Sequence, residues 1–173
     1  MPTATGHWKP ILLRAAVALV FGAVTVFWGS PSVHVLAWAI GPYLLATAGS
    51  VFLAGGVPVP LAVVVGLAGV GALVTQSDTG VGVSALAGLL VLGVLEVVQG
   101  LRHRGRHILA RDWIISGVVG IGTAVSLPFF VSLGAHALLG VAGGGAIISG
   151  VLWALSGLSL RHDGRSASAE AVN

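Results

Sequence analysis

The stretch Leu86–Asp112, LAGLLVLGVLEVVQGLRHRGRHILARD, decides the fold. An apolar run carries one acid, Glu96, and stops at a basic cluster of Arg102, Arg104, Arg106 and Arg111. A run of this kind has lipid for its solvent. The basic cluster that ends it fixes the side of the membrane on which the rest of the chain lies, because Lys and Arg are retained in cytoplasmic loops.

Working outward, the same alternation of apolar run and short polar break recurs along the chain. It predicts an all-α membrane protein with six transmembrane helices, at residues 11–28, 33–54, 59–75, 81–101, 113–131 and 136–160. Residues 1–10 form a cytoplasmic N-terminal segment, with Pro10 placed where a helix can begin without its N–H. The first run is read as a retained helix: Arg14 lies inside it, and Trp28-Gly29-Ser30-Pro31 is a poor cleavage site for a signal peptide. Residues 161–173, rich in Ser and Ala, are read as a disordered cytoplasmic tail. Pro42 falls inside the second run and is expected to kink it, and the fifth run carries Pro128.

Six crossings place both termini on one side. Lys9, Arg14, the basic loop, Arg161 and Arg165, all eight basic residues, then fall on that side. The breaks at 29–32, 76–80 and 132–135 carry none and are assigned to the outside; a further turn lies at 55–58. The runs also group as three two-helix hairpins. Laid over each other, the first and third bring Arg14 onto Ser116 and His34 onto His136, as expected of a duplicated two-helix unit.

Composition agrees. The chain of 173 residues is 56% hydrophobic and only 8% charged, far below the roughly one-quarter that a soluble domain carries. A net charge of +3, gathered in a few places, does not make a nucleic-acid groove. Seven of the eight basic residues are Arg, and the abundance of Ala, Gly, Val and Arg is the coding bias of a GC-rich bacterial genome. The absence of cysteine removes disulfides, thiolate metal sites and Cys nucleophiles.

Chemistry-bearing residues are few. Arg14 and Glu96 sit at similar depth on runs of opposite direction, each on a stripe of small residues that marks a helix–helix interface. They form a candidate intramembrane ion pair; separate snorkelling of each to the cytoplasmic interface is the alternative. On the outer side, His34, Asp78 and His136 are candidate pH-responsive groups, or simply interfacial polar residues. Arg102, Arg104, Arg106 and Arg111 are candidate contacts for anionic lipid head groups. Trp8 and Trp113 mark the inner interface, Trp28 and Trp38 the outer one. No phosphate-binding glycine loop, zinc-protease motif or nucleophile elbow occurs, so no catalytic, metal or cofactor-binding residue is assigned and an enzyme is not expected.

The pattern resembles the HdeD-like acid-resistance membrane proteins. The residues that carry the resemblance are Ile11-Leu12-Leu13-Arg14, Phe21-Gly22 and Val26-Phe27-Trp28 with Pro31; Gly93-Val94-Leu95-Glu96-Val97-Val98 before Arg102 and Arg104; and Trp113-Ile114-Ile115-Ser116-Gly117. The middle hairpin departs from it at Val65 and at Gln76–Gly80. The resemblance implies a bacterial inner-membrane protein linked to acid or envelope stress. The first reading is a non-enzymatic protein of this stress-response type that acts by stabilising the membrane or a partner, with the bilayer, a second copy or another membrane protein for company. A small proton or solute transporter or channel is the alternative, and a regulatory or assembly subunit of a membrane complex a third. A conducting path needs several polar groups at mid-depth; mid-depth reads as Gly, Ala and Val with the charges near one face, which favours the first reading over transport.

Overall fold

The computed structural model describes residues 8–54 and 58–170; the segment 1–7, the expected turn at 55–57 and residues 171–173 lie outside the described residues. The chain is helical, with no strand among the described residues. Its helices are α1 (Trp8–Phe27), α2 (Val33–Ala54), α3 (Val59–Thr75), α4 (Asp78–Arg102), α5 (Ala110–Phe130) and α6 (Gly134–Glu170), with a short 3-10 turn at Val131–Leu133 before α6.

Length and apolarity alone give four stretches able to cross a membrane, against the six of the sequence reading: Trp8–Phe27, Val33–Leu53, Asp78–Arg102 and Ala110–His162. The difference has two causes. Helix α3 has 17 residues, about 26 Å at 1.5 Å per residue, which is short for a hydrocarbon core of about 30 Å. Helices α5 and α6 are joined through the 3-10 turn into one continuous helical stretch.

Boundaries move for local reasons. Helix α4 begins at Asp78, so the break expected over 76–80 is shorter: Ser77 caps the helix by accepting from the Gly80 N–H at 3.1 Å. Gln76 ends α3 in the left-handed region, φ 40°. Helix α1 includes Trp8 and Lys9 ahead of Pro10; a proline is tolerated there because the first-turn N–H groups have no intrahelical acceptor. Pro42 and Pro128 lie within α2 and α5, which continue past them. Helix α6 runs on through Glu170, where the sequence reading has a disordered tail from 161. The segment 161–170 offers Ala, Arg and Glu to the helix, and Gly164 as its one strong breaker. The turn into α6 depends on Gly134, whose φ of 81° and ψ of −172° suit only glycine.

The helices close into a ring. Helices α2, α4 and α6 touch one another at the centre, and α1, α3 and α5 lie outside, each in the angle between two of them. The centre is lined by Leu36, Ile40 and Leu44 of α2, Val81, Ala85 and Leu89 of α4, and Leu138, Leu139 and Ala142 of α6. The closest pairs are α2 with α3, α4 with α5, and α6 with α1. Glycine makes those approaches possible. A Cβ on Gly93 would come within 2.7 Å of the Gly117 carbonyl oxygen, and one on Gly69 within 2.9 Å of the Gly41 carbonyl. Between α1 and α6 a Cβ on Gly22 would meet Ile147 and one on Gly143 would meet Thr25. In lipid, where burial of apolar surface drives nothing, close backbone packing of this kind holds helices together. The outer faces carry large apolar side chains, among them Phe27 (87% exposed), Phe129 (77%) and Val74 (75%). Apolar surface on this scale requires a cover, which a bilayer supplies.

Candidate functional site

Glu96 is the buried charge of α4, 6% exposed. It shares the inward face with Leu89, Leu92, Gly93 and Gly100, one turn or more apart along the helix. Arg14 lies on the inward side of α1 beside Ala15 and Ala18. The structure brings these two together: Arg14 Nη2 donates to Glu96 Oε1 as an ion pair reaching across from α1 to α4. The Arg14 side chain is 13% exposed and that of Glu96 7%, so the pair is shielded from solvent on both partners.

Around the pair stand groups that the sequence reading did not assemble. Trp153 of α6, 1% exposed, lays its ring against the guanidinium, with Arg14 Cζ 4.6 Å from the ring centroid. A cation over the face of an indole is attracted by the ring quadrupole, most strongly where water is excluded. The indole N–H of Trp153 donates to Ser116 Oγ of α5 at 2.9 Å, and Ser116 is itself 2% exposed. Tyr43 and Thr47, one turn apart on α2, complete the wall, and the Tyr43 ring stacks on Phe21 of α1 at 4.3 Å between centroids. Thr123 of α5 and Ser149 of α6 add hydroxyls. Together these residues line a cavity of about 20 Å³, against the roughly 10–15 Å³ that a single water needs. Five of the six helices send a polar or charged side chain to the same small space, and α6 adds the indole to its hydroxyl.

The outer candidates are not gathered in this way. His34 Nδ1 is 3.0 Å from Gln76 Oε1, a bond between the start of α2 and the end of α3. His136 is exposed at the start of α6. Asp78 occupies the first turn of α4, where a carboxylate suits the helix dipole, and its Oδ1 is buried without a hydrogen-bond partner. Among the described residues no three His, Cys, Asp or Glu are placed to hold a metal.

At the opposite end Arg102, Arg104, Arg106 and Arg111 are all exposed. His107 stacks on Trp113 at 4.9 Å, and His103 meets the same ring edge-on at 5.8 Å. Lys9 and Arg161 both lie over Trp8, at 5.7 and 5.3 Å. Basic residues of three separate segments thus share one end of the bundle with an aromatic layer. One level further in, Ser156 donates to Asp112 Oδ2 at 2.7 Å and joins α6 to α5.

Tyr43, Ser116 and Trp153 are the functional candidates that sequence reasoning missed. The available signal was Trp153 itself: a tryptophan in the middle of a span lies too deep for an interfacial belt and needs a partner for its N–H. Comparison with protein-family models, with curated proteins and with solved structures finds no match.

Proposed function

We propose that this chain is a non-enzymatic, multi-pass protein of the bacterial inner membrane, of the acid- or envelope-stress type that its HdeD-like resemblance implies, and that it responds to acidity through Glu96. One observation carries the reading: a carboxylate and a guanidinium are paired inside an apolar bundle, in a space with room for about one water. While Glu96 is ionised the pair is neutral as a unit. Protonation removes the partner of Arg14 and leaves a buried cation with hydroxyls but no counter-charge beside it, a state that costs several kcal/mol unless the bundle adjusts. The pair therefore contributes stability that is lost as the medium becomes acid enough to protonate Glu96. Acidity then reaches the side-chain link between α1 and α4 and, through these helices, a lipid or protein neighbour.

The topology that goes with this reading has six spans in three hairpins and both termini cytoplasmic. The glycine approaches support the repeat, since Gly41 and Gly93 each lie in the second helix of a hairpin and face Gly69 and Gly117 in the first helix of the next. The exposed arginines and the Trp8, Lys9 and Arg161 group support the orientation. Anionic lipid head groups are the partners that end would attract.

The hydroxyls of Tyr43, Thr47, Ser116 and Ser149 around the pair favour a second reading, a small proton transporter, because polar groups converging within a bundle are what a proton path needs. Two measurements separate the readings. In detergent, acidification should lower the thermal stability of the wild type, while Glu96→Gln should be less stable at neutral pH and insensitive to acid. A wild-type stability that does not change with pH removes the acid-response reading. In liposomes, a proton flux that disappears in Glu96→Gln selects transport.

A further inference from the structure

We infer that the cavity beside the Arg14–Glu96 pair is a binding site for a small monovalent anion, taken up together with a proton on Glu96. The inference rests on the acid response proposed for Glu96 and names what accompanies it. Three features of the cavity lead there: its charge, its donors and its size.

The charge changes by one when Glu96 gains a proton. Arg14 stays protonated, held under the Trp153 ring with its side chain 13% exposed. An isolated charge in a low-dielectric interior is costly, and a single negative charge beside it restores neutrality. A divalent anion would overshoot by one charge, and a cation would be repelled. The groups that face Glu96 offer no other compensation. Helix α1 presents Arg14 and α2 presents Tyr43; α5 and α6 present hydroxyls, small residues and the Trp153 indole, and α3 contributes nothing to the wall.

The donors are already arranged. Arg14 has five N–H groups in a fixed fork, more than one carboxylate uses. Ser116 Oγ accepts the indole N–H, which leaves its own O–H to donate. Tyr43 and Ser149 bring hydroxyls from two further helices to the same space. The size then selects among anions. A cavity of about 20 Å³, against the roughly 10–15 Å³ that one water needs, suits a small anion such as a halide.

The test uses the full chain purified in detergent and measures thermal stability in sodium chloride against sodium gluconate at matched ionic strength, across a range of pH. A ligand that binds the folded state raises the melting temperature by mass action. Chloride should stabilise the wild type in acid and lose that effect towards neutrality. With one proton taken up per anion, the apparent affinity should change by up to about tenfold per pH unit. Glu96→Gln fixes the protonated charge state, so chloride should stabilise it at neutral and acid pH alike. Tyr43→Phe combined with Ser116→Ala removes two donors while keeping both charges, and should weaken chloride binding several-fold. Equal behaviour in chloride and gluconate, for the acidified wild type and for Glu96→Gln, overturns the inference. The infrared band of a protonated carboxylic acid, identified by its loss in Glu96→Gln, reports the proton separately. A band that appears on acidification without any effect of chloride overturns the anion site and leaves the acid response standing. No band at any pH where the protein stays folded overturns the proton coupling, even if Glu96→Gln binds chloride.

Discussion

At the scale of single residues, the molecule depends on how Arg14 is held. Its guanidinium has a carboxylate at one side and an aromatic face at the other, from α4 and α6 respectively. Removing one charge of a buried pair commonly costs about 3–5 kcal/mol, because the survivor is stranded. Arg14→Ala and Glu96→Ala should each lower thermal stability in detergent. The double substitution should cost less than the sum of the two, with a coupling of about 0.5–3 kcal/mol in a double-mutant cycle. Strict additivity would mean that the contact contributes nothing. The opposition of these two residues was legible in the sequence, because helix direction and depth follow from the order of spans and from the basic loop. The Trp153–Ser116 bond was not. It joins residues of adjacent helices whose rotation about their own axes depends on tertiary packing, and every span here is apolar nearly all round, so no polar face announces that rotation.

At the scale of helices, glycine sets the spacing. Between α4 and α5, Gly93 and Gly117 face each other, each with a hypothetical Cβ closer to the opposite backbone than real contacts allow. Overpacking costs about 1–3 kcal/mol where side chains can yield, and backbone carbonyls yield least. Gly93→Val should therefore lower the melting temperature by several degrees and displace α5 from α4. Gly122→Val, on the same helix pair but with open space at its Cβ, should be close to neutral. A Gly93→Val protein as stable as wild type would remove the close approach as an explanation for the bundle. The stripes of small residues were readable from spacing alone. Which stripe meets which was not, since every helix carries several glycines or alanines. Helix ends were legible only to within a few residues: Ser77 is a capping residue in plain sight, yet the polar run Gln76–Gly80 reads as a loop until its backbone bonds are assigned.

At the scale of the whole molecule, the distribution of charge leads to a topology. With no native cysteine, single substitutions report cleanly. Ser30→Cys and Ser77→Cys, both at exposed positions, should react with an impermeant thiol reagent from outside the cell, and Arg104→Cys only after the membrane is opened. Labelling of Ser30→Cys or Ser77→Cys from the cytoplasmic side alone would overturn the six-span arrangement. The helical membrane class was plain from composition, because so few charges cannot dress a soluble surface. The ring was hidden, since it depends on α6 returning to α1 across the full length of the chain.

That return has a consequence for the chain as a string. Arg161, near the end of the apolar part of α6, lies over the ring of Trp8 at the start of α1. The two ends of the bundle are thus neighbours, and the helices around the ring have no structural first or last member. A connection from α6 to α1 would lie at the same end of the bundle as the loop near Gly105, which is exposed and meets nothing within 4 Å of its hypothetical Cβ. A circular permutant with the old termini joined and new ones opened at Gly105 should fold to a bundle of nearly unchanged melting temperature, since permutation is tolerated at exposed loop tips. It would begin with α5 and finish with α4, and would keep the pair of Arg14 and Glu96 intact while making Ser116 and Trp153 before either of them.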